Sequence, residues 1–276
     1  MKTICGICPR HCALEPGQTG FCRARANRNG AIVCKNYGRL TAVALDPVEK
    51  KPLRRFYPGR SVLSVGSFGC NLRCPFCQNS GISMAGGDAE TIYVSPERLA
   101  AKAVELSRRT PGNLGVAFTY NEPLVGFEYV RDCAGLVHAA GLKNILVTNG
   151  TVCEKPLRKL LPLIDAMNID LKGFRQDYYD WLLGDLGTVK KTIAISARAC
   201  HVEVTTLIVP GRNDSEEDMD AEAAWLASLD PAIPLHISRF FPRYHTRDLE
   251  PTPVDTIKRL CSVARGRLKY VYSGNC

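Results

Sequence analysis

The chain has 276 residues, 45% hydrophobic and 23% charged, which excludes a disordered chain and leaves apolar side chains enough for a sizeable core. This length fits one large domain, or a barrel with a small appendage. The formal charge of +9 includes a local basic group, Lys50, Lys51, Arg54, Arg55 and Arg60, but no aromatic-interleaved basic repeat accompanies it. An anionic cofactor or acidic partner is therefore expected rather than nucleic acid.

The chain opens MKTICGICPRHCALEPGQ, without an apolar run of signal-peptide length, and no later stretch reaches the roughly 20 apolar residues of a membrane helix. A cytoplasmic protein with no membrane partner is expected. Thirteen cysteines in a reducing compartment point to metal ligation or catalysis rather than to disulfides, and five of them lie within residues 5–34. Residues 1–59 carry few helix signals and two short strand candidates, AIVCKN and RLTAVAL, joined through Tyr37-Gly38. They read as a cysteine-rich module that needs a metal staple, because so short a segment lacks a core of its own.

From residue 60 to 276, apolar β-rich runs alternate with helical patterns. The predicted strands are 62–67, 114–120, 144–149, 165–171, 201–209, 234–238 and 268–272; the helices are 95–109, 124–140, 154–161, about 187–199, 215–228 and 253–265. Ser95-Pro96 is a cap and first-turn pair, and Ser215-Glu-Glu-Asp loads a helix start with the acids its dipole favours. Short buried strands, each followed by a helix, call for a parallel sheet. About six such units make an α/β fold, a partial (β/α)6 TIM-type barrel, whose active site lies at the C-terminal ends of the strands.

The first of those ends carries SVGSFGCNLRCPFCQN, with Cys70, Cys74 and Cys77 in CxxxCxxC spacing. One loop can wrap three corners of a cubane cluster in this way and leave the fourth iron open. The alternative is a zinc loop completed by Cys133 or Cys153. Near the N-terminus, Cys5, Cys8, Cys12 and Cys22 make a four-thiolate set suited to zinc or to a second, auxiliary iron-sulfur cluster, with Cys34 as a spare. Cys133, Cys153, Cys200 and Cys261 sit in apolar or helical runs and read as buried thiols.

The loop GCNLRCPFCQN resembles the signature of radical S-adenosylmethionine (SAM) enzymes, in the version of the glycyl-radical-enzyme (pyruvate formate-lyase type) activases. CGICPRHCALEPGQTGFCRAR, DPVEKKPL, TYNEP, DLKGF, PLHISRFFP and YVYSGN together are similar to one branch, the AmmeMemoRadiSam-system radical SAM proteins, over nearly the whole chain. The resemblance implies a [4Fe-4S] cluster whose open iron binds S-adenosyl-L-methionine, which is cleaved reductively to methionine and a 5′-deoxyadenosyl radical that abstracts hydrogen from a substrate. It implies a reductant such as flavodoxin or ferredoxin, an activase-like protein or peptide substrate and, by gene context, Memo-like and AMMECR-like partners.

Site residues carry over position by position. In TYNEP, Tyr120 and Asn121 stand where the activases carry the two glycines of a glycine-glycine-glutamate-proline stretch that contacts the methionine amino group, and Glu122 matches its glutamate and would accept from the methionine ammonium. Thr148 and Asn149 correspond to the activases' TNG, near the SAM ribose or carboxylate. Asp170 and Lys172, in DLK, would pair with the SAM carboxylate and orient that pairing. VPGRND, 209–214, reads as a turn into an acid-capped helix. His236 and Arg239 alternate with apolar neighbours on the sixth strand, so that His236 either lines the SAM pocket or is a hydrogen-bonded core histidine. Two other classes stay open: radical SAM modification of a nucleic acid or small molecule, and a non-catalytic iron-sulfur electron-transfer protein.

Overall fold

The computed structural model describes residues 1–109 and 112–276. Its centre is an eight-stranded sheet whose spatial order follows the chain. The strands are β1 (Ala42–Pro47), β2 (Ser61–Gly66), β3 (Asn113–Phe118), β4 (Lys143–Thr148), β5 (Ala166–Asp170), β6 (His201–Ile208), β7 (Leu235–Arg239) and β8 (Val271–Gly274). β1 pairs antiparallel with β2, and every later pairing is parallel. The crossovers carry α1 (Pro96–Ser107), α2 (Phe127–Ala139), α3 (Glu154–Leu160), α4 (Leu186–Ser196), α5 (Glu216–Leu229) and α6 (Val254–Arg265). This is the expected α/β partial TIM-type barrel, with the helix layer packed on one face of the sheet through Leu63, Val65, Leu146 and Ile169.

Local signals set the element ends. Ser95 accepts a hydrogen bond from the Arg98 amide with Pro96 in the first turn of α1, and Ser215 accepts from the Asp218 amide at the acid-rich start of α5. The predicted helix 124–140 begins with a 3-10 turn, Pro123–Gly126, before α2 proper. A short helix, Gln176–Trp181, was not predicted.

The N-terminal region departs from expectation. Residues Arg25–Arg28 and Ala31–Cys34 form a hairpin across Asn29 (φ 53) and Gly30 (φ 88), the turn geometry that Asn-Gly favours. Arg39–Leu40 pairs instead with Ile92–Tyr93, so the two strands expected to join through Tyr37-Gly38 have different partners. β1 belongs to the barrel sheet. The boundary expected between residues 59 and 60 therefore runs between two paired strands, because β1 satisfies the free edge of β2.

Between β1 and β2 the chain turns under the barrel. Val48, Leu53 and Phe56 pack there against Val62, Ile145 and Ala166, at the N-terminal ends of the strands. The basic segment thus serves as a plug: Lys51 is buried on Asp46 at 2.7 Å, and Arg55 stacks on Tyr270 at 3.8 Å. Glu203, 0% exposed on β6, anchors the plug by accepting from the Arg54 and Arg55 amides at 3.0 and 2.7 Å. It also contacts His201 Nε2 at 2.9 Å and His236 Nε2 at 2.6 Å. Burial opposes ionisation of Glu203, but the two imidazoles and two amides outweigh it and hold the carboxyl at about 2.

A carboxyl depressed from 4.5 to about 2 stabilises the fold fully above pH 4.5, and that contribution is lost as pH falls toward 2. Glu203→Ala leaves these donors without their acceptor. It is expected to lower the unfolding free energy by about 3–5 kcal/mol, read from urea denaturation at pH 7, and to flatten the acid limb of stability between pH 4.5 and 2. An unchanged midpoint would show that the plug does not depend on this carboxylate.

Candidate active site

The loop after β2 carries Cys70, Cys74 and Cys77 at the C-terminal mouth of the barrel. It is pinned by local bonds: Cys77 N to Cys74 O at 3.1 Å, Leu72 N to Cys70 Sγ at 3.4 Å, and Arg73 N to Leu182 O at 2.9 Å. Gly69, at φ +94, lets the chain turn into the loop, and a Cβ there would lie 2.5 Å from the Cys22 carbonyl oxygen. Phe76 packs on Tyr178 and Trp181 of the short helix 176–181, with ring centroids 6.5 and 5.7 Å away, so this unpredicted element is the loop's aromatic cover.

The surrounding protein raises the Cys74 thiol to about 12 and the Cys70 thiol further, burial being the largest cause in each. Thiols so placed hold their protons unless a metal displaces them. Three of them on one loop fit a metal-sulfur centre with a position left for an outside ligand.

The ends of β3, β4 and β5 converge beside this loop. Glu122 is buried, and its carboxylate is engaged internally: Oε1 accepts from Leu124 N at 3.0 Å and Thr148 Oγ1 at 2.8 Å, and Oε2 from Asn149 N at 2.8 Å. Burial pushes its pKa up to about 7 against these bonds. Asn121 is also committed, its amide donating to the carbonyls of Phe68 and Gly69 at 3.2 and 3.0 Å while Oδ1 accepts from Ser67 N at 2.9 Å. Both residues brace the loop.

Asn149 Nδ2 lies 3.5 Å from Cys70 Sγ and 2.9 Å from Asn71 Oδ1. Lys172 Nζ is 2.8 Å from Asp170 Oδ2. Burial disfavours the Lys172 ammonium, but the Asp170 carboxylate bonded to it leads the charges that more than offset this and keep its pKa above the ordinary lysine value. Asn149 and Lys172 thus stand at the cysteines, Thr148 and Glu122 tie two strand ends together, and Asp170 orients the lysine.

His236 is elsewhere. It is the second residue of β7, paired with buried Glu203 near the plug, so it is the core histidine of the two readings and not part of the mouth. Alternation along the strand correctly turns it inward, but alternation does not give its level in the barrel.

Cys5, Cys8, Cys12 and Cys22 line one enclosed cavity together with Gly20 and Arg25. Arg25 is 4% exposed and forms an ion pair with Glu128 of α2 at 2.6 Å, while its Nε has no partner among the described residues. This cavity abuts the loop of the barrel. Arg10 and Arg73 lie on the Phe21 ring at 3.6 and 3.7 Å, Arg10 Nε donates to Asn71 O at 3.1 Å, and Arg73 donates to the carbonyls of Cys70 at 2.9 Å and of Phe21. The sequence reading missed Arg10, Phe21, Arg25, Asn71 and Arg73; position alone marked Asn71 and Arg73, which sit between Cys70 and Cys74.

Residues 64–226 match the Radical SAM superfamily, and the chain belongs to that superfamily. Membership implies an enzyme that uses a [4Fe-4S] cluster and SAM. The chain is 40% identical over 280 residues to an uncharacterized protein of Methanocaldococcus jannaschii, covering 99% of this chain and 81% of that one. It is 29% identical to the probable GTP 3',8-cyclase of Archaeoglobus fulgidus, over 54% of this chain and 49% of that protein. With the benzylsuccinate synthase activating enzyme of Thauera aromatica it shares 26% identity, over 72% of this chain and 60% of that one. The fold is shared with a radical SAM methyltransferase from Sphaerobacter thermophilus, at TM-score 0.59 and 18% identity over 79% of this chain and 67% of that one. Among the described residues no helix is long and apolar enough to cross a membrane.

The bracing role of Glu122 has a measurable consequence. Glu122→Ala leaves two backbone amides and the Thr148 hydroxyl without their acceptor and releases the loop holding Asn149. It is expected to cost about 2–4 kcal/mol of stability, read by denaturant unfolding, and to weaken SAM binding in a calorimetric titration. Unaltered stability and SAM affinity together would remove Glu122 from the site.

Proposed function

We propose that Cys70, Cys74 and Cys77 hold the [4Fe-4S] cluster of this radical SAM enzyme, and that it is an activase-like member of the AmmeMemoRadiSam branch acting on a protein or peptide. The observation that carries the reading is the meeting, at the barrel mouth, of three thiols on one loop with Asn149 and the Lys172–Asp170 pair. Bound together, cluster and SAM supply one-electron cleavage of the sulfonium and, from it, hydrogen abstraction. The chain's own residues orient and shield: the Lys172 ammonium suits the carboxylate of a zwitterionic methionine, and the Asn149 amide can donate to a cysteine sulfur. Phe76, Tyr178 and Trp181 close the loop's other side against water.

A protein substrate rests on likeness to the activating enzyme of Thauera aromatica, and is an argument by analogy. A low-potential reductant of the flavodoxin or ferredoxin class completes the reaction, and Memo-like and AMMECR-like proteins belong to the branch by gene context. The cytoplasm supplies the reducing conditions such thiols need.

Residues 1–59 carry a metal of their own on Cys5, Cys8, Cys12 and Cys22. Burial raises the thiols of Cys8 and Cys22, which hold their protons unless a metal displaces them, and the unpartnered Nε–H of buried Arg25 at that cavity would suit the anionic sulfurs of a metal-thiolate centre.

Reconstituted, reduced protein given SAM is expected to release 5′-deoxyadenosine, detected chromatographically, and to contain about eight irons, or about four with one zinc. Replacing Cys70, Cys74 and Cys77 together with Ala should abolish 5′-deoxyadenosine and remove about four irons with the far-ultraviolet circular dichroism kept. Persistence of both would sink the central assignment.

A further inference from the structure

We infer that Glu222 of α5 is a protonated acid that positions Lys172: it donates a hydrogen bond to Thr206, and Thr206, Tyr179 and Asn213 together hold the strand-end peptides that carry the lysine. The inference rests on the role proposed above for Lys172 at the barrel mouth, and adds the groups that fix where its ammonium stands.

The peptides on either side of Lys172 are gripped from three elements. Lys172 lies two residues past the end of β5. The carbonyl before it, of Leu171, accepts from Thr206 Oγ1 of β6 at 2.9 Å. The Lys172 N–H donates to Tyr179 Oη of the short helix 176–181 at 3.0 Å, and the Lys172 carbonyl accepts from Asn213 Nδ2 at 2.9 Å. Asn213 belongs to VPGRND, the turn after β6, and is tied there in turn: Nδ2 also donates to Leu207 O at 2.9 Å, and Oδ1 accepts from Val209 N at 2.7 Å.

Thr206, Tyr179 and Asn213 are all buried. Water does not compete for their bonds, and a shift of the peptides would leave buried polar groups unpaired. A lysine stem is flexible, so its ammonium is aimed only where its backbone is held. Asp170, its ion-pair partner, sits in the same strand end and is placed with it.

Counting hydrogens gives the state of Glu222. Thr206 Oγ1 lies within hydrogen-bond reach of two oxygens, Leu171 O and Glu222 Oε1. A hydroxyl carries one hydrogen, and a carbonyl only accepts. The Thr206 hydrogen is therefore committed to Leu171, and the contact with Glu222 needs a second one, which a protonated carboxyl brings. Other buried glutamates differ in their company. Glu203 meets two amides and two imidazoles, and Glu122 two amides and a hydroxyl, whereas Glu222, 2% exposed, has Thr206 as its one hydrogen-bond partner among the described residues.

Burial pushes the Glu222 carboxyl up to about 8 against the Thr206 bond, and Asp218 on the same helix adds to the rise. Asp218 itself stands 3.8 Å from Arg175. From the short helix, Tyr179 feels the charges of Glu222, Lys172 and Asp170, and burial raises its phenol. A carboxyl raised from 4.5 to about 8 holds a proton in the fold that the unfolded chain has lost, so its contribution to stability is full below pH 4.5 and is lost as pH rises through about 8. An ionised Glu222 also draws the Thr206 hydrogen to itself and strips Leu171 O of its donor. The strand end, and Lys172 with it, then loosens in the alkaline range.

The test uses the full chain and pairs Glu222→Gln, whose amide still donates to Thr206 but does not ionise, with Thr206→Val, which removes the donor to Leu171. Infrared difference spectra at about pH 7 should show a protonated-carboxyl band in the wild type that Glu222→Gln lacks. Urea-denaturation stability should fall from about pH 6 to about pH 9 by less in Glu222→Gln than in the wild type. Hydrogen exchange of the Lys172 amide, followed by nuclear magnetic resonance, should quicken about tenfold in Thr206→Val, and in the wild type should exceed that of Glu222→Gln at high pH. Reconstituted Thr206→Val should bind SAM about tenfold more weakly, while Glu222→Gln should match the wild type at about pH 7 and keep more of its affinity at about pH 9. Should Thr206→Val fail to fold, the infrared band and the pH comparison of Glu222→Gln decide alone. Absence of the band, a pH dependence that Glu222→Gln leaves unchanged, or wild-type amide exchange and SAM affinity in Thr206→Val overturns the inference. Wild-type SAM affinity in Lys172→Ala would instead overturn the reading of Lys172 proposed above, with amide exchange still deciding whether these side chains hold the strand end.

Discussion

The barrel mouth depends on a close approach of two backbones: the cysteine loop must turn at Gly69 against the Cys22 carbonyl with no side chain between. The left-handed φ of +94 and the missing Cβ are both required, so one glycine sets where Cys70 sits relative to the N-terminal region. Arg73 then fastens the contact, and Asn121 grips the carbonyls of Phe68 and Gly69 from the other side. The loop is held between two layers, residues 1–40 above and the strand ends below. Glu122 completes the lower layer by tying β3 to β4, at the cost of a buried carboxylate whose charge is offset only by hydrogen-bond donors.

How much of this was legible in the sequence varies with the range of the signal. Strands buried on both faces, helix caps and motifs at strand ends are local, and from residue 60 the elements fall where their patterns place them, within the few residues by which boundaries drift. The same locality gives the cysteine loop and its neighbours Asn149 and Lys172. Partners far apart in the chain leave no such mark: Arg25 finds Glu128, and Glu203 finds the amides of Arg54 and Arg55. For this reason the basic run near residue 50, ambiguous as a charge cluster, became intelligible only as a plug. His236 shows a different limit, since a period of two distinguishes inward from outward but not the mouth from the floor. The hairpin at Asn29-Gly30, by contrast, rests on a turn signal that is local and strong.

Tyr120 shows how this chain departs from the activases it resembles. It stands in the stretch where they carry glycines, and its φ of +70 keeps the left-handed backbone that glycine adopts freely. For a tyrosine that conformation costs about 1–2 kcal/mol, which the surroundings offset. The Tyr120 carbonyl accepts from Asn79 at 2.7 Å, its hydroxyl donates to Asp46 at 2.7 Å, and Gly66 makes room for its ring.

The result is a side chain laid inside the barrel from the mouth toward the floor. Lys51 Nζ stands 4.7 Å from the ring centroid and is buried on the same Asp46. Burial opposes the Asp46 charge, but Lys51 and Tyr120 outweigh it and hold that carboxyl at about 2, while burial lowers Lys51 against the pull of the same carboxylate. The plug below and Tyr120 along one wall thus fill part of the barrel with the chain's own side chains.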